Sequence, residues 1–418
     1  MPAILWALVC AAVLVGLGDL RDSAVFAVTT LLVWGAGVLA LPRPAGDDNT
    51  LRSVFLVALL VRVMLLASPP ALSDDIYRYI WEGTLTAHGG NPYLHAPADP
   101  ALVEWLTDPN RVRVNHPEIS SIYPPLAMGL FAALSSIWAD PLVFKVVSAL
   151  ADAGTAWMIA RILTNRGHST DSAWLYALLP LGVVESAGSG HLDPVALFCL
   201  AAAIDAWDRH RSGIVWAGLG ALLKLLPAVV FVGLLKNFRQ VWPGALAIVV
   251  LALVCPLPFA EAGPTMLRGL QTYAEHWSFN GSLFPLAELV CGELTRPILI
   301  AVGAVLVLWA ARRFHDPAEI ALWAGGAFVL LSPTVHPWYV GWAWVPALIC
   351  GARAWTLLAA LMPLAYIVLA TVDPVTVRWH EAIWPRFVIY GPFIVMAGWR
   401  WFQATTTPGP AMQRSPTR

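Results

Sequence analysis

Residues 52–93 read RSVFLVALLVRVMLLASPPALSDDIYRYIWEGTLTAHGGNPY. An apolar run from 52 to 67 stops at Pro69-Pro70, and two adjacent carboxylates, Asp74 and Asp75, follow almost at once. A helix needs about 17 to 25 mostly apolar residues to cross the hydrocarbon core of a bilayer. The run at 52–67 is one of twelve, the others falling near 3–18, 24–41, 141–163, 173–188, 194–207, 241–259, 296–311, 318–333, 338–351, 355–371 and 387–402. The chain is 58% hydrophobic and 12% charged, a membrane composition, since soluble domains carry about 25% charged residues. These patterns predict an all-α polytopic membrane protein in one transmembrane domain, 1–403, with 404–418 as a disordered cytoplasmic tail.

Two further stretches are too short or too broken to count as spans. Residues 124–137 follow Pro124-Pro125, and 214–235 are interrupted by Lys224 and Pro227. Basic residues favour the cytoplasmic side of a membrane. Placing Arg161, Arg166, Arg209, Arg211, Lys236, Arg239, Arg312, Arg313, Arg353 and the tail arginines there gives one consistent arrangement. In it 124–137 is an interfacial helix, 214–235 is a re-entrant pair of half-helices, and both termini lie inside. Segments 68–140, 189–193, 260–295, 334–337 and 372–386 then emerge on the outer face, of a bacterial inner membrane in this reading. The net charge of -1 comes with no basic stripe, so nucleic acid is not an expected partner, whereas membrane lipids are. The five cysteines show no CxxC spacing and read as packing residues, and residues 1–18 lack the basic start of a cleaved signal.

In the first outer segment, Ser73 is the expected helix N-cap, and a short amphipathic helix should run to Gly89-Gly90. On it Asp75, Tyr79 and Glu82 share a face, while Asp74 and Arg78 stand one turn apart. Two readings fit the spacing equally: carboxylates that stabilise a helix start through the dipole, or carboxylates that act on a substrate.

The run Asp-Asp-Ile-Tyr-Arg-Tyr-Ile-Trp-Glu-Gly (74–83), then Gly-Asn-Pro-Tyr (90–93), then Ser121-Ile-Tyr-Pro-Pro-Leu126, resembles the first extracytoplasmic loop of GT-C glycosyltransferases. It looks most like bacterial mannosyltransferases that use polyprenyl-phosphate mannose, and Ser-Pro-Thr-Val-His-Pro-Trp-Tyr (332–339) extends the likeness to the other end of the chain. The resemblance implies a GT-C fold and inverting transfer of a hexose, mannose by its branch, from a polyprenyl-phosphate sugar to a lipid or glycan acceptor outside the cytoplasm. It implies an Asp as general base, and Asp75 fits its Asp-x-Tyr/Trp-x-Tyr pattern better than Asp74, which would assist. A phosphate leaving group needs only a weak base, so a carboxylate in a helix first turn suffices.

His336 and Arg78 are the candidate phosphate binders, the first as hydrogen-bond donor or counter-charge, the second unless it pairs with Asp74. Possible substrate-binding residues are Tyr79, Glu82, His191, Asp193, Asn280, Trp338 and Tyr339. His191 and Asp193 sit in a Gly-rich turn that reads equally as a hairpin tip. Lys224 either faces a cavity or snorkels to the cytoplasmic surface. Nothing has metal-ligand spacing, and no cofactor is called for beyond the sugar donor as co-substrate. The rival from another class is a flippase or transporter of lipid-linked sugars, which would gather its charges near the midplane in repeat-related broken helices.

Overall fold

The computed structural model describes residues 2–40, 48–70, 72–105, 109–207, 210–228, 238–372 and 380–406. Its regular elements are helices. The α-helices of eight residues or more are α1 (Pro2–Gly16), α2 (Ala24–Ala40), α3 (Asp48–Leu66), α4 (Asp75–Ala87), α5 (Pro125–Ile137), α6 (Pro141–Asn165), α7 (Asp171–Leu178), α8 (Asp193–Asp205), α9 (His210–Leu223), α10 (Phe238–Val254), α11 (Arg268–His276), α12 (Phe284–Cys291), α13 (Thr295–Arg313), α14 (Pro317–Leu331), α15 (Gly341–Cys350), α16 (Ala354–Leu361) and α17 (Trp384–Thr406). Pro141–Asn165, Phe284–Arg313 and Ala354–Thr371 are long and apolar enough to cross a membrane, and a bent pair from Val241 to His276 makes up to four. Most other apolar runs form helices of 10–17 residues. A multi-pass membrane protein is what these helices describe, while the count of twelve spans goes further than their lengths alone. The helix α17 continues through Thr406, past the expected domain end at 403, and the rest of the tail lies outside the described residues. So does the second half of the expected re-entrant pair.

Two short helices carry the first-segment motif. Apolar residues on α4 bury Ile76, Tyr79, Ile80 and Trp81 against α5, whose start is fixed by Pro124-Pro125. Close approach requires glycine at position 83, since a Cβ there would lie 2.4 Å from the Phe131 carbonyl oxygen.

The charged groups Arg62, Asp152 and Lys145 within the bundle are paired, as a low-dielectric interior requires. Arg62 on α3 donates to the Asp152 carboxylate on α6 and to the carbonyls of Ala58 and Ala177, while Tyr176 donates to Asp152 at 2.6 Å. Lys145 on α6 donates to the carbonyls of Leu65, Leu66 and Ser68, closing off the C-terminal end of α3.

The expected outer segments meet at one end of the bundle, where Asp75, Lys224, His336 and Tyr366 line a common cleft. Arg166, paired with Asp316 at 2.7 Å, and Arg353 lie at the other end. The helix α2 and the segment from α16 to Thr371 connect the two ends.

Because Arg62 and Asp152 are fully buried, Asp152→Ala strands a guanidinium in the bundle. The expected loss is about 3–5 kcal/mol, read as a drop in unfolding midpoint of detergent-purified protein. A loss below about 1 kcal/mol would mean that Arg62 reaches water.

Candidate active site

The cleft holds about 200 Å³ and is walled by the start of α4, the 115–123 segment, the turn after α9, α11 with Phe279, the 336–339 turn and the end of the α16 segment. Helix α4 begins at Asp75, one residue later than an N-cap at Ser73 would give, and the Ser73 hydroxyl still accepts the Asp75 amide at 3.3 Å. That start puts the Asp75 carboxylate at the cleft wall, half-buried, with no hydrogen bond or ion pair from any described residue. Its neighbour is engaged: Asp74 pairs with Arg21 from the α1–α2 turn, and burial still pushes the Asp74 carboxyl above the ordinary carboxylate range.

Arg78 does not pair with Asp74. It bonds Glu82 at 3.1 Å and donates to the carbonyls of Asn115, His116 and Ile119, while Glu82 accepts from Ser121 at 2.8 Å. Arg78 lines the cleft, but both its terminal nitrogens are spent on holding the returning segment to α4, so they are poorly placed to serve as a phosphate fork. Burial raises the Glu82 carboxyl, opposed by Arg78. Tyr79 is buried against Tyr123 and Phe131 and packs rather than faces the cleft.

Lys224 supplies the cation that Arg78 does not. At the end of α9 it lies 2.9 Å from Asp193 and over the rings of Tyr123 and Tyr339. It therefore faces the cleft rather than the opposite membrane surface. Asp193 also accepts from the Trp342 indole at 3.0 Å.

The His336 turn is built from both sides. The Phe279 amide donates to the Pro333 carbonyl and the Val335 amide to the Phe279 carbonyl, and Asn280, at φ +50°, donates from its side chain to the Val335 carbonyl. The Asn280 backbone is held in turn by Glu381 and Tyr390. Asn280, buried, thus fixes the turn, its amide directed to the Val335 carbonyl and the Met362 sulfur. His336 stacks on Trp338 at 4.5 Å, and Trp338 stacks on His191 at 3.8 Å, so two imidazoles sandwich one indole. His191 is 3.0 Å from Glu185, which sits in a single π-helical turn and accepts from Tyr366 of the cleft wall. The ring nitrogens of His336 bond no described residue. Tyr339 and Tyr273 share a hydroxyl hydrogen bond of 2.9 Å beside it.

A second cavity of about 460 Å³ opens beside the cleft, between α13 and α14, and shares Tyr273, Trp277 and Tyr339 with it. Its other walls are mostly apolar, among them Leu299, Ile300, Val307, Phe328 and Leu331. The arrangement can hold an anion beside a lone carboxylate, with a long apolar chain alongside.

Comparison with known proteins decides the family. A model described as alpha-(1->6)-mannopyranosyltransferase, N-terminal domain, matches residues 6–238, more than half of the chain, and one described as the MptB C-terminal domain matches 281–400. The chain belongs to the alpha-(1->6)-mannopyranosyltransferase family. It is similar to alpha-(1->6)-mannopyranosyltransferase B of Corynebacterium glutamicum, 26% identical over 343 residues, covering 68% of this chain and 56% of the relative. It is also similar to alpha-(1->6)-mannopyranosyltransferase A of Mycobacterium tuberculosis, 24% identical over 369 residues, 75% of this chain and 70% of the relative. The chain thus spans little more than half the length of the first of these.

Within this mannopyranosyltransferase family member, Asp74, Asp75, Arg78, His336, Trp338 and Tyr339 converge on the cleft, with His191 and Asp193 directly behind it. Tyr79, Glu82 and Asn280 stand in its supports. Arg21, Tyr273 and Tyr366 are cleft residues that sequence reading missed. Arg21 lies in a five-residue turn that reads as ordinary topology, and the tyrosines lack any motif; Lys224 carried a signal in the proline three residues on.

Burial pushes the His336 imidazole from its usual 6.5 down to about 4, against the pull of Asp75. The lowered value favours the neutral form, so His336 carries no charge at pH 7 in the free protein and can donate one hydrogen bond. In histidine-labelled protein, the NMR signal that disappears in His336→Gln should titrate near pH 4. A midpoint at or above 6.5 would make His336 a counter-charge instead.

Proposed function

We propose that this protein transfers a mannosyl group from a polyprenyl-phosphate donor to a hydroxyl of a lipid-linked or glycan acceptor, at the extracytoplasmic face, with inversion. The observation that carries this reading is the Asp75 carboxylate at the cleft wall, with no partner among the described residues, in the same cavity as Lys224 and a neutral His336. The acceptor hydroxyl attacks the anomeric carbon as Asp75 takes its proton. The bond from that carbon to the phosphate oxygen breaks, and the phosphate leaves with the electron pair. Lys224 neutralises it and His336 donates to it, the preorganised stabilisation that a developing anion needs. Asp74, already bound to Arg21, steadies the loop and does not compete for the proton.

The apolar cavity between α13 and α14 fits the donor's polyprenyl tail, because it meets the cleft at Tyr273 and Tyr339. The distribution of charge supports the orientation: Arg161, Arg166, Arg312, Arg313, Arg353 and Arg400 belong to the end away from the cleft, as expected of a cytoplasmic face. A transporter would gather unsatisfied charges at mid-depth, whereas the buried pair Arg62 and Asp152 is fully bonded.

Membranes containing the protein should move label from polyprenyl-phosphate mannose to added lipid and glycan acceptors. Asp75→Asn should cut the rate by about 10²–10⁴-fold, with protein levels unchanged, and Asp74→Asn by far less. Movement of the sugar lipid across the bilayer without transfer would overturn the enzyme reading.

A further inference from the structure

At the end of the bundle opposite the cleft lies a cavity of about 630 Å³ with no part in the proposed chemistry. Its position follows from two elements that touch both ends. Helix α2 starts just after Arg21, at the cleft, and ends near Leu39, in this cavity; the α16 segment starts at Arg353, here, and reaches Leu369, at the cleft. A helix of 17 residues rises about 25 Å, close to the thickness of a bilayer's hydrocarbon core. The cavity therefore lies at the second membrane boundary.

Its lining divides into two halves. Leu39, Leu348, Leu357 and Met396 make an apolar wall, as acyl chains require, while Arg353 and Arg400 bring two guanidiniums to a lining whose one carboxylate among the described residues is Asp171. Neither guanidinium bonds a described residue, unlike Arg161 and Arg166 at the same end, which are paired with Asp205 and Asp316. The α7 start, with Ser169 and Ser172, and the α16 start both face the cavity, adding two positive helix ends. Thr356 adds a hydrogen-bond donor: the residue is 5% exposed, it lines the cavity, and its hydroxyl bonds no described residue.

We propose that this cavity binds the phosphodiester headgroup of an anionic phospholipid, with Arg353 and Arg400 on the phosphate oxygens, Thr356 donating a hydrogen bond, and the acyl chains along Leu357 and Met396. Guanidinium and phosphate match in geometry and charge. A lipid, rather than soluble phosphate, is the occupant because the apolar wall adjoins the phosphate-binding half.

The test is native mass spectrometry of the detergent-purified, full-length protein titrated with phosphatidylglycerol, phosphatidylcholine or glycerol phosphate. Wild type should retain phosphatidylglycerol in preference to phosphatidylcholine, and Arg353→Gln/Arg400→Gln should weaken that binding about tenfold or more. Thr356→Val, which keeps shape and removes only the hydroxyl, should weaken it less but measurably. Arg312→Gln, at the same end but outside the cavity, should leave it unchanged. Equal retention of both lipids, or loss in Arg312→Gln as large as in the double variant, would overturn the proposal. Glycerol phosphate binding as tightly as phosphatidylglycerol would overturn the lipid assignment. Since no arm measures sugar transfer, failure here leaves the proposed catalysis untouched.

Discussion

The cleft depends on one guanidinium. Arg78 ties the helix that begins at Asp75 to three carbonyls of the 115–119 segment and, through Glu82 and Ser121, to the approach of α5. Those carbonyls lie outside regular structure, in a segment whose residues are exposed or half-buried, so the guanidinium is what ties them to α4. With Arg78 in place, α4 cannot slide or roll on α5, because Gly83 is already in contact with the Phe131 backbone. The direction of Asp75 is thereby set by groups bonded to the protein itself.

A similar division of labour governs the other wall. His336 would be one rotatable ring on a turn, were it not stacked on Trp338 and backed by His191, Glu185 and Tyr366. Asn280 and Glu381 hold the turn itself. Burial then removes the charge from His336 and leaves Lys224 as the cation facing Asp75's side of the cleft. One wall thus offers a proton acceptor, the other a cation and a neutral hydrogen-bond donor.

Much of this is legible in the chain. The helices fall close to the apolar runs, because a membrane-length run without charge has few alternatives to helix. The pairing of Asp74-Asp75 with His336 across 261 residues could not come from spacing, and rested on resemblance to GT-C motifs. Local rules failed where tertiary partners took over. Helical spacing offered Asp74 to Arg78, yet Arg21 took Asp74 from another part of the chain, and Arg78 turned to Glu82 one turn further along its own helix. The sugar-binding residue types at Asn280 and Glu82 are bonded within the protein: the Asn280 amide donates to the Val335 carbonyl, and Glu82 accepts from the Arg78 and Ser121 side chains. Lys224 stood among leucines with no visible partner, and only the fold brings Asp193 to it.

The most direct measurement separates donor binding from proton removal at Asp75. Polyprenyl-phosphate mannose affinity and the single-turnover rate should be determined on the same preparations of wild type, Asp75→Asn and Lys224→Gln. If Asp75 is the base and Lys224 the phosphate cation, Asp75→Asn binds donor as well as wild type and fails to turn it over, while Lys224→Gln loses affinity. Single-turnover transfer by Asp75→Asn within about tenfold of wild type, well short of what a general base contributes, would contradict the assignment of the base and the site built around it.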